Sequence, residues 1–176
     1  MNSDIKDSMI ILIRLKNQLG NAYPGLKYLV GIKEEVLKKN PSNVEVYDVN
    51  TSMYCLIHYL FISFVSFSDE YNKYFLPAIG IDETKRHLIE TSCERYFKVI
   101  DDIFGNIKMP RNQVLAHGYR DNKGNPLSNE EINKLYNQLI SFPDMGSYEQ
   151  LANIPDKVVQ EIEKVFGKMD ENEVSL

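Results

Sequence analysis

Cysteine and clustered metal ligands are scarce in this chain of 176 residues. The two cysteines, Cys55 and Cys93, are too few for the disulfide framework of a small secreted domain. No Cys-x-x-Cys pair and no Cys/His cluster has the spacing of a zinc site, so we expect no bound metal and no cofactor. We expect both cysteines to be buried and unreactive.

A secretion signal is also missing from the first twenty residues. Asp4 and Asp7 stand where a signal peptide has its basic region, and Arg14 and Lys16 interrupt the apolar stretch that follows. We therefore expect a cytoplasmic protein.

The chain has one long run without a formal charge, residues 49–68. A membrane-spanning helix needs about 20 predominantly apolar residues. This run falls short because it contains His58 and five further polar side chains: Asn50, Ser52, Ser63, Ser66 and Ser68. Its composition favours a buried core helix, or a helix in a subunit interface, over a membrane span. We expect no membrane contact.

An excess of basic residues is absent as well. Lys and Arg total 20 and Asp and Glu total 25, which gives a formal net charge of −5. This balance argues against a protein that coats nucleic acid through a basic surface, although a local basic site remains compatible with it.

Strand patterns are nearly absent. The single alternation, Val44, Val46 and Val49, is too short and isolated to form a sheet. Elsewhere apolar residues recur with the helical period. We predict an all-α bundle of six to seven helices in one domain over residues 1–168, followed by an acidic, frayed tail over 169–176.

Local start and stop signals place the predicted helices. Tyr23-Pro24-Gly25 predicts a break between the first two helices, and Asp82 predicts an N-cap for the fourth. Ser128 and Glu131 predict a capping box for the sixth. The predicted helices cover about 5–20, 26–39, 51–75, 83–104, a short segment from 110, 129–140 and 155–166. The two long ones, 51–75 and 83–104, are predicted to be central.

The segment 108–123 gathers most of the chemistry in the sequence. Its basic residues outnumber its single acid, Asp121, and give a local charge of +3. Pro110 suits the first position of a helix, and a helix N-terminus beside an arginine is a plausible phosphate site. The functional side chains are Lys108, Arg111, Asn112, His117, Tyr119 and Arg120.

Spacing alone does not force these residues into one site. Arg111 and His117 are six residues apart, so a regular helix would place them about 120° apart around its axis. From spacing alone, an exposed helix start with an isolated histidine is the favoured interpretation. His58, in the apolar run, suggests a hydrogen-bonded core residue, and His87 suggests a surface pair with Glu83.

The order Arg111-Asn112, His117 and Gly118-Tyr119 resembles the Arg-(four to six residues)-His motif of the HEPN superfamily. It is similar to the Arg-x4-His-x-Tyr pattern of HEPN toxins paired with minimal nucleotidyltransferase antitoxins, with one additional residue between Arg and His. The motif covers about nine residues. The helical layout extends the likeness loosely over most of the chain.

The resemblance implies metal-independent RNA cleavage that leaves a 2′,3′-cyclic phosphate. His117 would then transfer protons, Arg111 would stabilise the phosphate charge and Asn112 would orient either of them. Tyr119 becomes a substrate contact or a site of nucleotidyl transfer. Lys108 and Arg120 become candidate RNA contacts, with transfer or messenger RNA as the substrate.

The same resemblance implies a homodimer, because one chain offers one motif histidine and the reaction needs a base and an acid. It implies a role as a toxin or in antiphage defence, with a nucleotidyltransferase antitoxin or an activating defence protein as partner. Two alternatives stay open. One is a non-catalytic HEPN scaffold that binds RNA or a protein, and the other is a helical interaction protein whose motif is coincidental.

Overall fold

The computed structural model describes residues 3–39, 42–80, 82–104, 125–128, 130–131 and 145–169. These residues form helices and no β-strand, which confirms the all-α prediction. We number the four long helices in chain order. They are α1 (Ser3–Lys38), α2 (Asn43–Glu70), α3 (Glu83–Phe104) and α4 (Met145–Phe166).

Helix α1 is one continuous helix of 36 residues, so the predicted break at Tyr23-Pro24-Gly25 is wrong. A proline inside a helix removes one backbone hydrogen bond and usually interrupts it. Here the residues on either side of Pro24 are held in the core, because Ala22 and Leu26 are both buried. Burial of these apolar side chains stabilises the helical conformation on both sides of Pro24, so the helix continues through the proline. The longest helix is thus α1, and not either of the two predicted central helices.

Helix α2 begins where the sequence suggested an isolated strand pattern. Ser42 caps it: the Ser42 hydroxyl accepts a hydrogen bond from the Glu45 amide at 3.3 Å. The Glu45 carboxylate in turn accepts one from the Ser42 amide at 2.9 Å. This reciprocal capping box satisfies amides that the first turn leaves without a helical partner. The predicted start at residue 50 or 51 is therefore about eight residues too late.

A π-helical segment, Tyr71–Phe75, follows α2 directly, and the chain stays helical through Leu76–Ala78. The wider turn lets both Tyr71 and Phe75 reach the core, where their rings stack 6.1 Å apart. Gly80 ends the run with φ 64°, a left-handed conformation that glycine adopts without strain. The predicted end near residue 75 is therefore about three residues too early, because the helix continues through Pro77 and Ala78 before Gly80 ends it.

Helices α3 and α4 complete the described bundle. The Asp82 carboxylate accepts a hydrogen bond from the Lys85 amide at 3.1 Å, which confirms the predicted cap of α3. Helix α4 starts ten residues before the predicted position and includes Pro155, which is buried. Glu161 on α4 links the two helices, because its carboxylate lies 3.5 Å from Arg95 Nη2 and 3.4 Å from the Tyr96 hydroxyl.

The core lies where all four helices meet. Four phenylalanines from α2 and the π-helical segment fill its centre, and apolar side chains from the other helices surround them. The largest fully buried side chains are Phe61, Phe64, Phe67, Phe75, Met9, Leu12, Leu19, Leu26, Leu60, Ile89 and Ile100. They belong to one continuous cluster, which also includes Leu151, Val158 and Ile162 of α4.

The far end of the α1–α2 pair contributes no buried side chain to this core, although Met53, Leu56 and Ile57 pack against it. We call residues 27–39 and 42–59 the arm. None of its described side chains is buried, whereas Leu26 and Leu60 on either side of it are. Of the two predictions for the apolar run, the buried core helix holds from Leu60 onward, and the exposed first half leaves only the subunit-interface alternative.

Residues Val44–Ala78 form the one described helix that is long and apolar enough to cross a membrane. Its most apolar window has a mean hydropathy of 1.3, and 39% of that window is buried inside the protein. A core helix of a soluble protein meets the same criterion of length and composition, so this is weak evidence for a span.

Three predictions lie largely outside the described residues. They are the short fifth helix from residue 110, most of the sixth helix over 129–140, and the tail from residue 170 onward. Of the predicted seven helices, the first two are one helix, and the third, fourth and seventh are α2, α3 and α4.

Candidate functional site

The predicted site residues all lie outside the described part of the chain. Lys108, Arg111, Asn112, His117, Tyr119 and Arg120 belong to residues 105–124, which the structure does not describe. That these side chains form one site remains a prediction. The structure describes the chain up to residue 104 and again from residue 125.

The helix before this segment is anchored in the core. Helix α3 ends at Phe104, whose ring packs edge-on against Phe61 with ring centres 5.5 Å apart. The same ring lies 6.3 Å from that of Tyr148 on α4. An aromatic cluster of α2, α3 and α4 thus fixes the point from which the chain enters residues 105–124.

The chain is also held shortly after this segment. Leu127 packs against the core cluster. The Ser128 hydroxyl accepts a hydrogen bond from the Glu131 amide at 3.2 Å, and the Glu131 carboxylate accepts one from the Ser128 amide at 2.8 Å. This is the capping box that the sequence predicts. Residues 105–124 are therefore a connection between two fixed points.

The two other histidines differ from their predicted roles. His58 is half-buried on α2, and its ring meets that of Tyr54 at a centroid distance of 3.9 Å. Its Nε2 is buried and makes no hydrogen bond, so it is not the satisfied core histidine that we expected. Burial lowers the pKa of His58, which keeps it neutral near pH 7. His87 is exposed, and no ion pair joins it to Glu83.

A groove of about 730 Å³ runs between α2 with its π-helical extension and α3. Sequence reasoning missed it, although two helical stripes mark it. One stripe contributes Phe64, Ser68, Asn72 and Leu76. The other contributes His87, Thr91, Glu94, Lys98 and Asp101, with Tyr71, Glu90, Phe97 and Ile100 completing the lining. Steps of three or four residues along each helix would have predicted that these residues share a face.

The groove is unsuited to RNA. Three carboxylates, Glu90, Glu94 and Asp101, line it against one lysine, Lys98. Glu90 is already paired with Arg86 at 3.0 Å. Because RNA presents a phosphate at every nucleotide, an acidic groove repels it. The groove therefore offers no second candidate for RNA cleavage.

The groove also lacks a reactive nucleophile. Cys93 is completely buried beneath it, and burial raises the pKa of its thiol to about 11. Tyr71, which shares a side-chain hydrogen bond with Cys93, also has a raised pKa because it is buried. Both groups are protonated near neutral pH, and a protonated thiol is a poor nucleophile.

Cys55 and Cys93 differ in their environment. The prediction that both are buried is right for Cys93 and wrong for Cys55, which is exposed on the arm. Within the described part of the chain, no group of three or more His, Cys, Asp or Glu side chains could hold a metal ion.

Comparisons with protein-family models, with curated proteins and with solved structures found no match to this chain.

Proposed function

We propose that this protein is a metal-independent endoribonuclease with a HEPN-like bundle, acting in the cytoplasm as a toxin or in antiphage defence. The observation that carries the proposal is the motif Arg111-Asn112, His117 and Gly118-Tyr119 in a chain whose described residues form helices and no β-strand. The motif follows α3 directly, as its resemblance to HEPN ribonucleases requires.

The reaction needs only groups that the motif offers. A base removes the proton of the ribose 2′-hydroxyl, and the 2′-oxygen attacks the adjacent phosphorus. The bond from phosphorus to the 5′-oxygen breaks, and an acid returns a proton to that oxygen. The products are a 2′,3′-cyclic phosphate and a 5′-hydroxyl, with no redox change and no metal.

Each motif residue has a part in this step. An unperturbed histidine has a pKa of about 6.5, so a histidine at position 117 is suited to exchange protons near neutral pH. The Arg111 guanidinium donates hydrogen bonds to the phosphate as negative charge builds on its oxygens. Asn112 orients one of these two groups. Lys108 and Arg120 contact the flanking backbone phosphates, and Tyr119 contacts the substrate or accepts a nucleotidyl group from a partner antitoxin.

A homodimer completes the site. One motif provides one histidine, and two-fold symmetry brings a second copy to the opposite side of the same phosphate. One histidine then serves as base and the other as acid.

A non-catalytic scaffold of the same family is the second candidate. The net charge of −5 and the acidic groove favour it, because both reduce general affinity for RNA. It predicts binding of RNA or of a protein without any cleavage.

RNA sequencing after induced expression tests the proposal in cells. We expect new RNA ends to accumulate with the wild-type protein and to disappear with Arg111→Ala, because the change removes charge stabilisation worth about 10²–10³ in rate. His87→Gln is the matched control, since His87 lies outside the motif, and it should behave as wild type. If Arg111→Ala produces the same RNA ends, the nuclease proposal is wrong.

A further inference from the structure

An exposed stripe runs along the outer side of α2, through the arm and about one turn beyond it. Its large members are Val44, Tyr47, Tyr59 and Ile62, with 67%, 69%, 41% and 39% of their surface exposed. Thr51 and Cys55 lie between them and are also exposed. We call these six residues the α2 stripe.

The stripe is one face of a regular helix. Steps of three or four residues connect its members, so at 100° per residue they fall within an arc of about 120°. From Val44 to Ile62 it is about 27 Å long at 1.5 Å per residue. The six side chains carry no formal charge, but the exposed Asp48 and the half-buried His58 fall within the same arc.

Helix α1 covers the opposite side of α2. A side chain added at Gly25 would meet Leu56 Cδ1 at 3.4 Å, which shows how closely the two helices approach there. The stripe faces away from this contact.

A lipid bilayer is a poor occupant for the stripe. The arm would have to carry α1 into the bilayer along with α2, and α1 exposes Lys27, Glu34 and Glu35 there. Each such charge is costly within the hydrocarbon region. A second protein surface is the better match.

The stripe is complementary to itself. Two copies of α2 can pack antiparallel with the level of Met53 at the centre of the contact. Each residue of one copy then lies level with the residue of the other copy for which the two residue numbers sum to 106. Val44 then lies level with Ile62, Tyr47 with Tyr59, and Thr51 with Cys55. Each pair matches in size: two β-branched residues at the ends, two tyrosines next, and two small residues at the centre. Small central residues let two helix axes approach to about 8 Å.

We propose that the α2 stripe is a homodimer interface, in which α2 of one subunit packs antiparallel on α2 of a second copy about a two-fold axis. A two-fold interface must be self-complementary, and the sequence of the stripe has this property. Burying the exposed parts of the six side chains removes roughly 1,000 Å² from water in the dimer, the size at which specific interfaces begin. The proposal does not depend on ribonuclease activity.

The first test is the oligomeric state of matched variants. Tyr47 and Tyr28 are both tyrosines with 69% of their surface exposed, but Tyr28 lies on α1, outside the stripe. Light scattering at micromolar concentration should show a dimer for the wild type and for Tyr28→Glu, and a monomer for Tyr47→Glu. A monomeric wild type, or a Tyr47→Glu protein that stays dimeric, would overturn the proposal.

A second test fixes the register and stays informative if Tyr47→Glu does not fold. Thr51→Cys/Cys55→Ser protein is mixed with wild-type protein and oxidised. We expect a disulfide between residue 51 of one chain and Cys55 of the other, in preference to links within either pool. Tyr28→Cys/Cys55→Ser serves as the control and should give no cross-link. Equal cross-linking in both mixtures would contradict the proposed register.

Vesicle flotation tests the alternative that a lipid bilayer, and not a second copy of the protein, covers the α2 stripe. With vesicles of neutral and anionic lipids, we expect the wild type to remain unbound. Flotation of the wild type that Tyr47→Glu abolishes and Tyr28→Glu preserves would overturn the proposal in favour of a membrane surface. The cross-linking and flotation results do not depend on RNA cleavage. A monomeric wild type would also contradict the homodimer of the proposed function, whereas a dimer that fails to cleave RNA would contradict the proposed function alone.

Discussion

Burial controls the chemistry of individual side chains in this protein, as the two cysteines show. Cys93 has no exposed surface, its thiol pKa is raised to about 11, and it shares a hydrogen bond with Tyr71. Cys55 lies in the same chain with an exposed side chain. Cys55 lies in the apolar run and Cys93 lies between Ser92 and Glu94, so local composition alone would have predicted the reverse of their observed burial.

We expect Cys93 to be unreactive in the folded protein. In a Cys55→Ser variant it is the only thiol. A chromogenic disulfide reagent at pH 8 should titrate no thiol in the native variant and one thiol after unfolding in guanidinium, because reaction needs an accessible thiolate. Rapid reaction of the Cys93 thiol in the folded variant would show that the contact between α2 and α3 opens readily.

Among the helices, local signals were reliable where they were chemically specific. The caps at Asp82 and Ser128 follow from side chains that satisfy backbone amides within three residues, and both are present. The break at Pro24 was predicted wrongly because tertiary burial of Ala22 and Leu26 outweighs the lost hydrogen bond. Ser42 and Glu45 have capping-box spacing and mark the start of α2 about eight residues before the predicted start at residue 51.

The Ser42 capping box should stabilise α2 in a pH-dependent way. Hydrogen bonds from Ser42 lower the pKa of Glu45 below its unfolded value. Its contribution is therefore present above the unfolded pKa and is lost as pH falls through the folded pKa. We expect Ser42→Ala to lower the free energy of unfolding by about 1 kcal/mol at pH 7. Urea denaturation should show a smaller difference near pH 3, and an effect that grows on acidification would contradict this assignment.

At the scale of the whole molecule, the core is concentrated at one end. All four helices meet there, whereas in the arm no described side chain is buried. The sequence predicted the all-α fold class, because apolar residues that recur with the helical period indicate helices with one buried face. It could not predict where the core ends, because the apolar residues of the arm have the same period as those of the core.

This asymmetry predicts unequal costs for the same substitution on one helix. Leu26 is 1% exposed at the end of the core, and Leu37 is 52% exposed at the tip of the arm. Leu26→Ala should lower the free energy of unfolding by about 2 to 5 kcal/mol. Leu37→Ala should change it by about 0.5 kcal/mol or less. Equal losses in denaturant titrations would show that the arm is buried in the native assembly more deeply than proposed.

The candidate site was predictable only as a motif. Arg111 and His117 are not on one face of a regular helix, so their meeting depends on local geometry and on a second copy, which sequence spacing does not determine. The described neighbours, Phe104 and Leu127, show only that the connection between them is held at both sides.

Cleavage of RNA by the purified protein in the presence of EDTA is the most direct measurement of the proposed function. The wild type should release fragments that end in a 2′,3′-cyclic phosphate. His117→Ala should slow this by about 10²–10⁴, because it removes the proton-transfer group. The control His58→Gln should leave the rate nearly unchanged and both variants should remain folded. Equal cleavage by His117→Ala, or cleavage only after a divalent metal is added, would contradict the proposal.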